Sequence, residues 1–229
     1  MSTVPVPPVA APEVRLAVEV WADLTSPWCY LGKRRLERAI TAFEHPHAVQ
    51  VRYRSFERLW PEGTVPPVTG AGDAYAAAHL SPARAQAAAA DEGLVLDIEN
   101  AVPASTFDAH RLMHLGAAEG GLALQAAVAE RMFSAHFCEG RALDDPLVLQ
   151  RVAPEAGLDE HRVAAVLAGD EYAEDVQADQ REAVRLRLSV VPFVLADRRI
   201  ARAGPQPTVA LLMLLREAWQ AREAGSPSG

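Results

Sequence analysis

The sequence predicts an α/β fold in which strands and helices from both ends of the chain enclose a long helical insertion. Residues 15–21 and 49–54 alternate polar and apolar side chains, as half-buried strands do. From residue 73 to residue 187 there is no convincing strand pattern, and apolar residues recur at helical spacing. Strand character returns at residues 190–195 and 199–202. The predicted order is therefore β-α-β, a helical insertion, then α-β-β-α.

The first strand is predicted to place Leu16, Val18 and Val20 on one face and to end near Asp23. After Pro27, apolar residues recur at helical spacing and charged residues occupy the opposite side, which is typical of an amphipathic helix.

Ser26 lies where this strand gives way to the helix. Serine is a preferred N-cap residue, and Pro27 suits the first helical position because its absent N–H costs nothing there. Capping alone contributes about 1 kcal/mol to helix stability. A purely structural role for Ser26 therefore stays open beside a chemical one.

The insertion is predicted to be wholly helical. Its helices cover residues 74–90 with a break near Pro82, 106–119, 122–138, 146–156, 161–168 and 172–188. The pair Gly120 and Gly121 predicts one of the breaks. A final helix begins near Pro207, and the leucines on its surface can pack on the sheet or contribute to a homodimer.

Composition limits the classes of partner. The chain has 229 residues, of which 50% are hydrophobic, and a formal net charge of -8. Nucleic acids and anionic membranes both attract clustered positive charge, so this acidic chain favours a small-molecule or protein partner. No run of eighteen apolar residues predicts a membrane span.

The start of the chain is rich in proline and lacks the basic and apolar regions of a signal peptide, which predicts a cytoplasmic protein. Cys29 and Cys138 are far apart in sequence, and in that compartment they are expected to be thiols rather than a structural bridge. The sequence does not show whether Cys138 approaches Cys29, and Cys138 is most simply a small buried hydrophobe.

The segment Ser26-Pro27-Trp28-Cys29-Tyr30-Leu31-Gly32 resembles the Cys-Pro-Trp-Cys-Tyr-x-Gly signature of the FrnE-like branch of the DsbA family. Short segments similar to other motifs of this branch follow at residues 106–112, 139–141, 191–193 and 204–206, so the resemblance covers nearly the whole chain. It implies a thioredoxin-like fold with an inserted all-helical domain.

The resemblance also implies domain bounds. Residues 14–60 and 189–222 would form the thioredoxin-like domain, and residues 61–188 the inserted helical domain with its connecting helix. Residues 1–13 and 223–229 are expected to be disordered tails.

In DsbA-like enzymes the first motif cysteine is the nucleophile, and here that position is Ser26. A hydroxyl cannot form a disulfide. The serine instead resembles that of kappa-class glutathione transferases and 2-hydroxychromene-2-carboxylate isomerases, in which the hydroxyl stabilises the thiolate of bound glutathione. Cys29 occupies the normally shielded second position.

The remaining candidate site residues come from the same resemblance. Val191 and Pro192 correspond to the cis-proline segment that faces the motif, where main-chain groups bind a peptide or thiol. Pro27 and Trp28 lie within the motif, and His110 and Gln206 lie in the other segments that resemble this branch, so all four are candidates to contact the substrate or thiol. Gln206 stands where the kappa-like enzymes carry part of a Ser-Asp pair for glutathione.

Three functions are consistent with these residues. The first is a thiol-dependent isomerase or transferase that acts on a small aromatic or polyketide-like substrate, with glutathione or another low-molecular-weight thiol as cofactor. The second is a monothiol oxidoreductase that uses Cys29, and the third is a binding protein without catalysis. No metal is expected, because His110 and His114 lack further ligands in a recognisable pattern.

Overall fold

A computed structural model of the chain describes residues 15–57, 82–101 and 104–225. The strands are β1 (Leu16–Ala22), β2 (Val49–Ser55), β3 (Phe193–Ala196) and β4 (Ile200–Ala203). The helices are α1 (Pro27–Thr41), α2 (Pro82–Ala90), α3 (Phe107–Glu139), α4 (Pro146–Glu155), α5 (Glu160–Ala168), α6 (Ala173–Arg185) and α7 (Thr208–Gly225). A 3₁₀ turn over Pro46–Ala48 precedes β2.

The four strands form one sheet in the order β2-β1-β3-β4. Strand β1 pairs with β2 in parallel and with β3 in antiparallel fashion. In the parallel pair Ala22 is opposite Ser55, so both strands end at the same edge of the sheet. The residues that follow them, Asp23 and Phe56, therefore lie together at that edge.

Strand β3 begins later than the sequence pattern predicts. The pattern starts at residue 190, but the strand starts at Phe193. Proline has no N–H to donate to a strand ladder, so Pro192 delays the pairing. The predicted turn between β3 and β4 is confirmed, because Asp197 and Arg198 both have positive φ, at 47° and 54°, as two-residue hairpin turns require.

The second face of β1 is buried as well. Leu16, Val18 and Val20 are buried as predicted, but Glu19 and Trp21 on the other face are buried too. The buried carboxylate of Glu19 is compensated by ion pairs with Arg54 and Arg198.

The long helix α3 folds back on itself at the predicted glycine pair. Gly121 has φ 70° and ψ −168°, which interrupts the helix. A Cβ atom at Gly116 would lie 3.3 Å from Cα of Gln125, so the two halves of α3 pack closely against each other. The buried Gln125 side chain hydrogen-bonds the N–H and C=O of Tyr53, at 2.9 and 3.1 Å, and so covers the outer edge of β2.

Several expectations fall outside the described ranges: the tails at residues 1–13 and 226–229, and helix residues 74–81. The final helix continues to Gly225, two residues beyond Glu223, where we expected the tail to begin. Within the described ranges, every helix is too short or too polar to cross a lipid bilayer.

Asp179 on α6 ties the helical insertion to the sheet. Its carboxylate accepts hydrogen bonds from Arg54 at 2.8 Å and from the Ser55 N–H at 2.9 Å, and His114 Nε2 lies 3.2 Å away. Burial alone would raise the pKa of Asp179, but the hydrogen bonds from His114 and Ser55 and the charge of Arg54 hold it below its usual value.

We expect Asp179→Ala to lower the free energy of unfolding by about 3–5 kcal/mol, because it leaves the Ser55 N–H without its buried partner and removes one of the two carboxylates that pair with Arg54. Urea unfolding followed by circular dichroism measures this loss. The exposed Asp175 on the same helix provides the control, and its replacement by alanine should cost less than about 1 kcal/mol. Equal effects of the two changes would show that the network does not stabilise the fold.

Candidate functional site

Ser26 occupies the N-cap position of α1, as predicted. Its backbone is extended, with φ −98° and ψ 115°, and its side chain makes no capping hydrogen bond. Instead, the main chain forms the turn: the Ser26 N–H donates to the Asp23 carbonyl at 3.1 Å, and the Ser26 carbonyl accepts from the Cys29 N–H at 2.9 Å. The hydroxyl is therefore not engaged in capping the helix.

Cys29 lies one turn into α1 and is only 1% exposed. It packs within the main hydrophobic core, which shields its thiol from bulky partners. Cys138 is exposed, and its thiol donates to the Val95 carbonyl at 3.4 Å. The two cysteines form no disulfide. The prediction of two thiols is confirmed, but Cys138 is not the buried hydrophobe that we expected.

Helix α1 and the Val191–Pro192 segment meet at Gly32. A Cβ atom on Gly32 would lie 2.8 Å from Cγ of Pro192, closer than carbon atoms approach without strain. The Val191–Pro192 peptide bond is cis, and Val191 is buried. The structure thus brings together the two segments that the sequence suggested as halves of one site.

Trp28 lies between α1 and α2. It packs with Leu31 and Ala85, separately from the main core, and Ile98 borders this cluster. Its indole Nε1 is buried and has no hydrogen-bond partner. Pro27 is the first residue of α1 and is partly buried.

His110 lies in the protein interior. The ring is fully buried, and its Nε2 lies 3.3 Å from the Phe56 carbonyl oxygen. Burial lowers the pKa of His110 to about 4, although the nearby Asp23 carboxylate acts in the opposite direction. The imidazole is therefore neutral at pH 7. Burial also lowers the pKa of His136, and the charge of Asp23 again acts in the opposite direction.

The Gln206 side chain is used within its own loop. Its amide donates to the Ala203 carbonyl at 2.8 Å, and its backbone carbonyl accepts from Arg35 on α1 at 3.3 Å. We expected Gln206 to bind a thiol. In the structure its amide N–H closes the loop, and Arg35 hydrogen-bonds that loop to α1, so a thiol-binding role for Gln206 stays a prediction.

Asp23 and Glu57 are buried polar residues at this edge that the sequence analysis did not select. Asp23 Oδ1 accepts hydrogen bonds from the Thr25 N–H and hydroxyl, at 2.8 and 2.7 Å. Glu57 accepts from the Thr106 N–H at 2.8 Å and from Gln180 at 3.0 Å. The sequence could have indicated them, because Asp23 directly follows β1 and Glu57 lies two residues after the parallel strand β2, at the strand ends where polar groups of α/β sites gather.

No group of three or more metal-ligating side chains occurs among the described residues. His110 and His114 have separate partners: His110 faces Phe56, whereas His114 lies 3.2 Å from both the Ser55 hydroxyl and the Asp179 carboxylate.

Helix α1 thus begins at a serine whose side chain makes no capping hydrogen bond, and Gly32 of the same helix packs against the cis-proline segment. Residues 17–214 match the DSBA-like thioredoxin domain family. The chain belongs to this family. The predicted fold, a DsbA-like thioredoxin fold with a helical insertion, is thereby confirmed.

Several solved structures resemble this DSBA-like chain. A probable DsbA oxidoreductase from Streptomyces coelicolor is 37% identical, with a TM-score of 0.75 and coverage of 94% of this chain and 93% of that one. A 2-hydroxychromene-2-carboxylate isomerase is 20% identical, with a TM-score of 0.65 and coverage of 92% and 100%.

A cytosolic disulfide reductase from Pseudomonas aeruginosa, solved with GSH, is 18% identical, with a TM-score of 0.57 and coverage of 91% and 98%. At these identities the isomerase and the reductase share the fold alone with this chain. No curated protein matches the sequence. The DSBA-like family includes oxidoreductases and its fold is shared by an isomerase, so enzymatic activity is plausible for this chain.

Proposed function

We propose that this chain is a DsbA-superfamily enzyme of the FrnE-like branch in which Ser26 replaces the nucleophilic cysteine. It would use glutathione or another low-molecular-weight thiol to isomerise or conjugate a small aromatic or polyketide-like substrate. The observation that carries the proposal is the Ser26 hydroxyl, which lies at the start of α1 and does not cap it. We expect the protein to act in the cytoplasm.

The residues of the site fit a thiol. The Ser26 hydroxyl can donate a hydrogen bond to sulfur, and the N-terminus of α1 adds a favourable interaction of about 0.3–1 kcal/mol with a negative charge. The main chain at Val191 offers an N–H and a C=O to the rest of the molecule. When bound, the thiol supplies a nucleophilic sulfur that adds to an electrophilic carbon, and no net oxidation takes place.

Two alternatives make different use of the same site. A monothiol oxidoreductase would attack through Cys29, and the 37% identical relative, a probable DsbA oxidoreductase, favours redox chemistry. The 1% exposure of Cys29 disfavours it, because a disulfide must reach the attacking sulfur. A non-catalytic protein would retain the groove only to bind a peptide or ligand.

Ser26→Ala is expected to raise the pKa of enzyme-bound glutathione by about one unit, since a hydrogen bond to a charged group contributes about 1.5 kcal/mol. Ultraviolet absorbance of the thiolate during a pH titration measures this shift. We also expect glutathione-dependent turnover of quinone and chromene-type substrates at pH 7 to fall about tenfold.

Cys29→Ala serves as the matched control, because it leaves the Ser26 hydroxyl in place. It should leave the thiolate pKa unchanged. If Cys29→Ala abolishes activity and Ser26→Ala does not, the monothiol alternative is correct. If both variants and the natural chain bind ligands without turnover, the chain is a binding protein.

A further inference from the structure

A cleft of about 440 Å³ lies on one face of the sheet, near the end of β1 where that strand begins. Its lining includes Ala17 and Glu19 of β1 and the residues paired with them on β2, Gln50 and Arg52. Leu122, just past the reversal of α3, and the turn between β3 and β4 also line it. The motif helix follows the opposite end of β1, so the cleft is separate from the candidate functional site.

The ion pairs around this cleft leave one guanidinium group over. Arg52 is directly opposite Glu19 in the strand register, but Glu19 binds Arg54 and Arg198 through its two carboxylate oxygens. Arg54 and Arg198 each have a further carboxylate partner. Arg52 is exposed, and neither it nor the Gln50 side chain has a hydrogen-bond or ion-pair partner within the described ranges. An anion beside Arg52 would complete the pairing of charges on this face.

The chemistry of the lining favours a carboxylate that carries an apolar group. A guanidinium fork binds a carboxylate through two parallel hydrogen bonds, and the Gln50 amide can donate a third. Ala17 and Leu122 offer apolar surface to the rest of such a molecule. The carboxylates of Glu19 and Asp197 also line the cleft, so a second negative charge on the ligand would be repelled. These features favour a monoanion over a dianion such as hydrogen phosphate.

We propose that this cleft binds an organic monocarboxylate, with the carboxylate on Arg52 and Gln50 and the apolar part against Ala17 and Leu122. The volume of the cleft lies within the range of about 300–1,000 Å³ that is typical of small-molecule sites. The inference does not depend on the proposed function, because no residue of the cleft belongs to the motif or to the cis-proline segment.

NMR titration at constant ionic strength with benzoate and with benzamide, its neutral analogue of similar shape, tests the inference at pH 7. Benzoate should bind the natural chain about tenfold more tightly and should shift the backbone amide signals of Ala17, Gln50 and Arg52. Arg52→Gln should reduce the preference to within about twofold, and Arg52→Lys, which keeps the charge without the fork, should retain part of it. Arg151→Gln is the matched control, because Arg151 on α4 is also exposed and without a partner in the described part of the chain; it should leave the preference unchanged.

Equal affinity for benzoate and benzamide, or shifts at Ser26 and Gly32 in place of those at Ala17, would overturn the inference. So would an Arg52→Gln variant that keeps the preference, or hydrogen phosphate that binds more tightly than benzoate. Since Arg52 has no partner in the described fold, Arg52→Gln should unfold at the same temperature as the natural chain, which separates lost binding from lost folding. Neither measurement involves turnover, so the result is independent of the thiol proposal.

Discussion

Ser26→Cys is expected to raise the dithiol-disulfide exchange activity of this chain well above that of the natural chain. The new thiol would lie at the start of α1, where the helix N-terminus stabilises a thiolate, three residues before Cys29. Reduction of insulin disulfides and refolding of scrambled ribonuclease measure the gain, which should be about tenfold or more over the natural chain.

The double variant Ser26→Cys, Cys29→Ser is the matched control, because it keeps the new thiol and removes its resolving partner. It should accumulate mixed disulfides and turn over slowly. Because Cys138 is exposed, each protein should also carry Cys138→Ser, so that no surface thiol contributes. Strong activity of the natural chain in these assays would contradict the proposed replacement of redox chemistry at Ser26.

The local pattern of the sequence was sufficient for most of the architecture. Alternation located β1 and β2, and Gly120 and Gly121 marked the reversal within α3, since a positive φ there suits only glycine. The motif located Ser26 at a helix start for the same reason: Ser-Pro is a local signal that does not depend on the rest of the fold.

What the sequence could not supply was the tertiary partner of each polar side chain. Glu19 looked like a solvent-facing residue, but Arg54 and Arg198 allow it to be buried. His110 was a candidate to contact a ligand, and the structure adds that it is buried beside the Phe56 carbonyl at the sheet edge. Gln206 was a candidate to bind a ligand, and its amide N–H donates to the Ala203 carbonyl within its own loop. Each of these partners is distant in sequence or set by loop geometry, which no periodicity encodes.

Gly32→Ala is expected to lower the turnover of the proposed thiol-dependent reaction by about 100-fold while the fold persists. Displacing a group that positions the substrate by about 1 Å can lower a reaction rate by that factor. The added Cβ would lie 2.8 Å from Pro192 Cγ, and ordinary carbon contacts need about 3.5–4.0 Å. The proline ring is stiff, so α1 and the Val191 backbone must move apart, and the groups proposed to bind the thiol on the two sides lose their spacing.

The effect on stability should be smaller, about 1–3 kcal/mol, as for other overpacked sites. Thermal unfolding, glutathione affinity and turnover should be measured together on the same preparations. Gly169→Ala is a suitable control, since its Cβ would meet nothing closer than the Ala165 carbonyl oxygen at 3.5 Å. If Gly32→Ala binds the thiol and turns over as the natural chain does, the spacing between Ser26 and Val191 does not govern the reaction. A selective loss of turnover and thiol affinity in Gly32→Ala would instead show that the two segments act as one site.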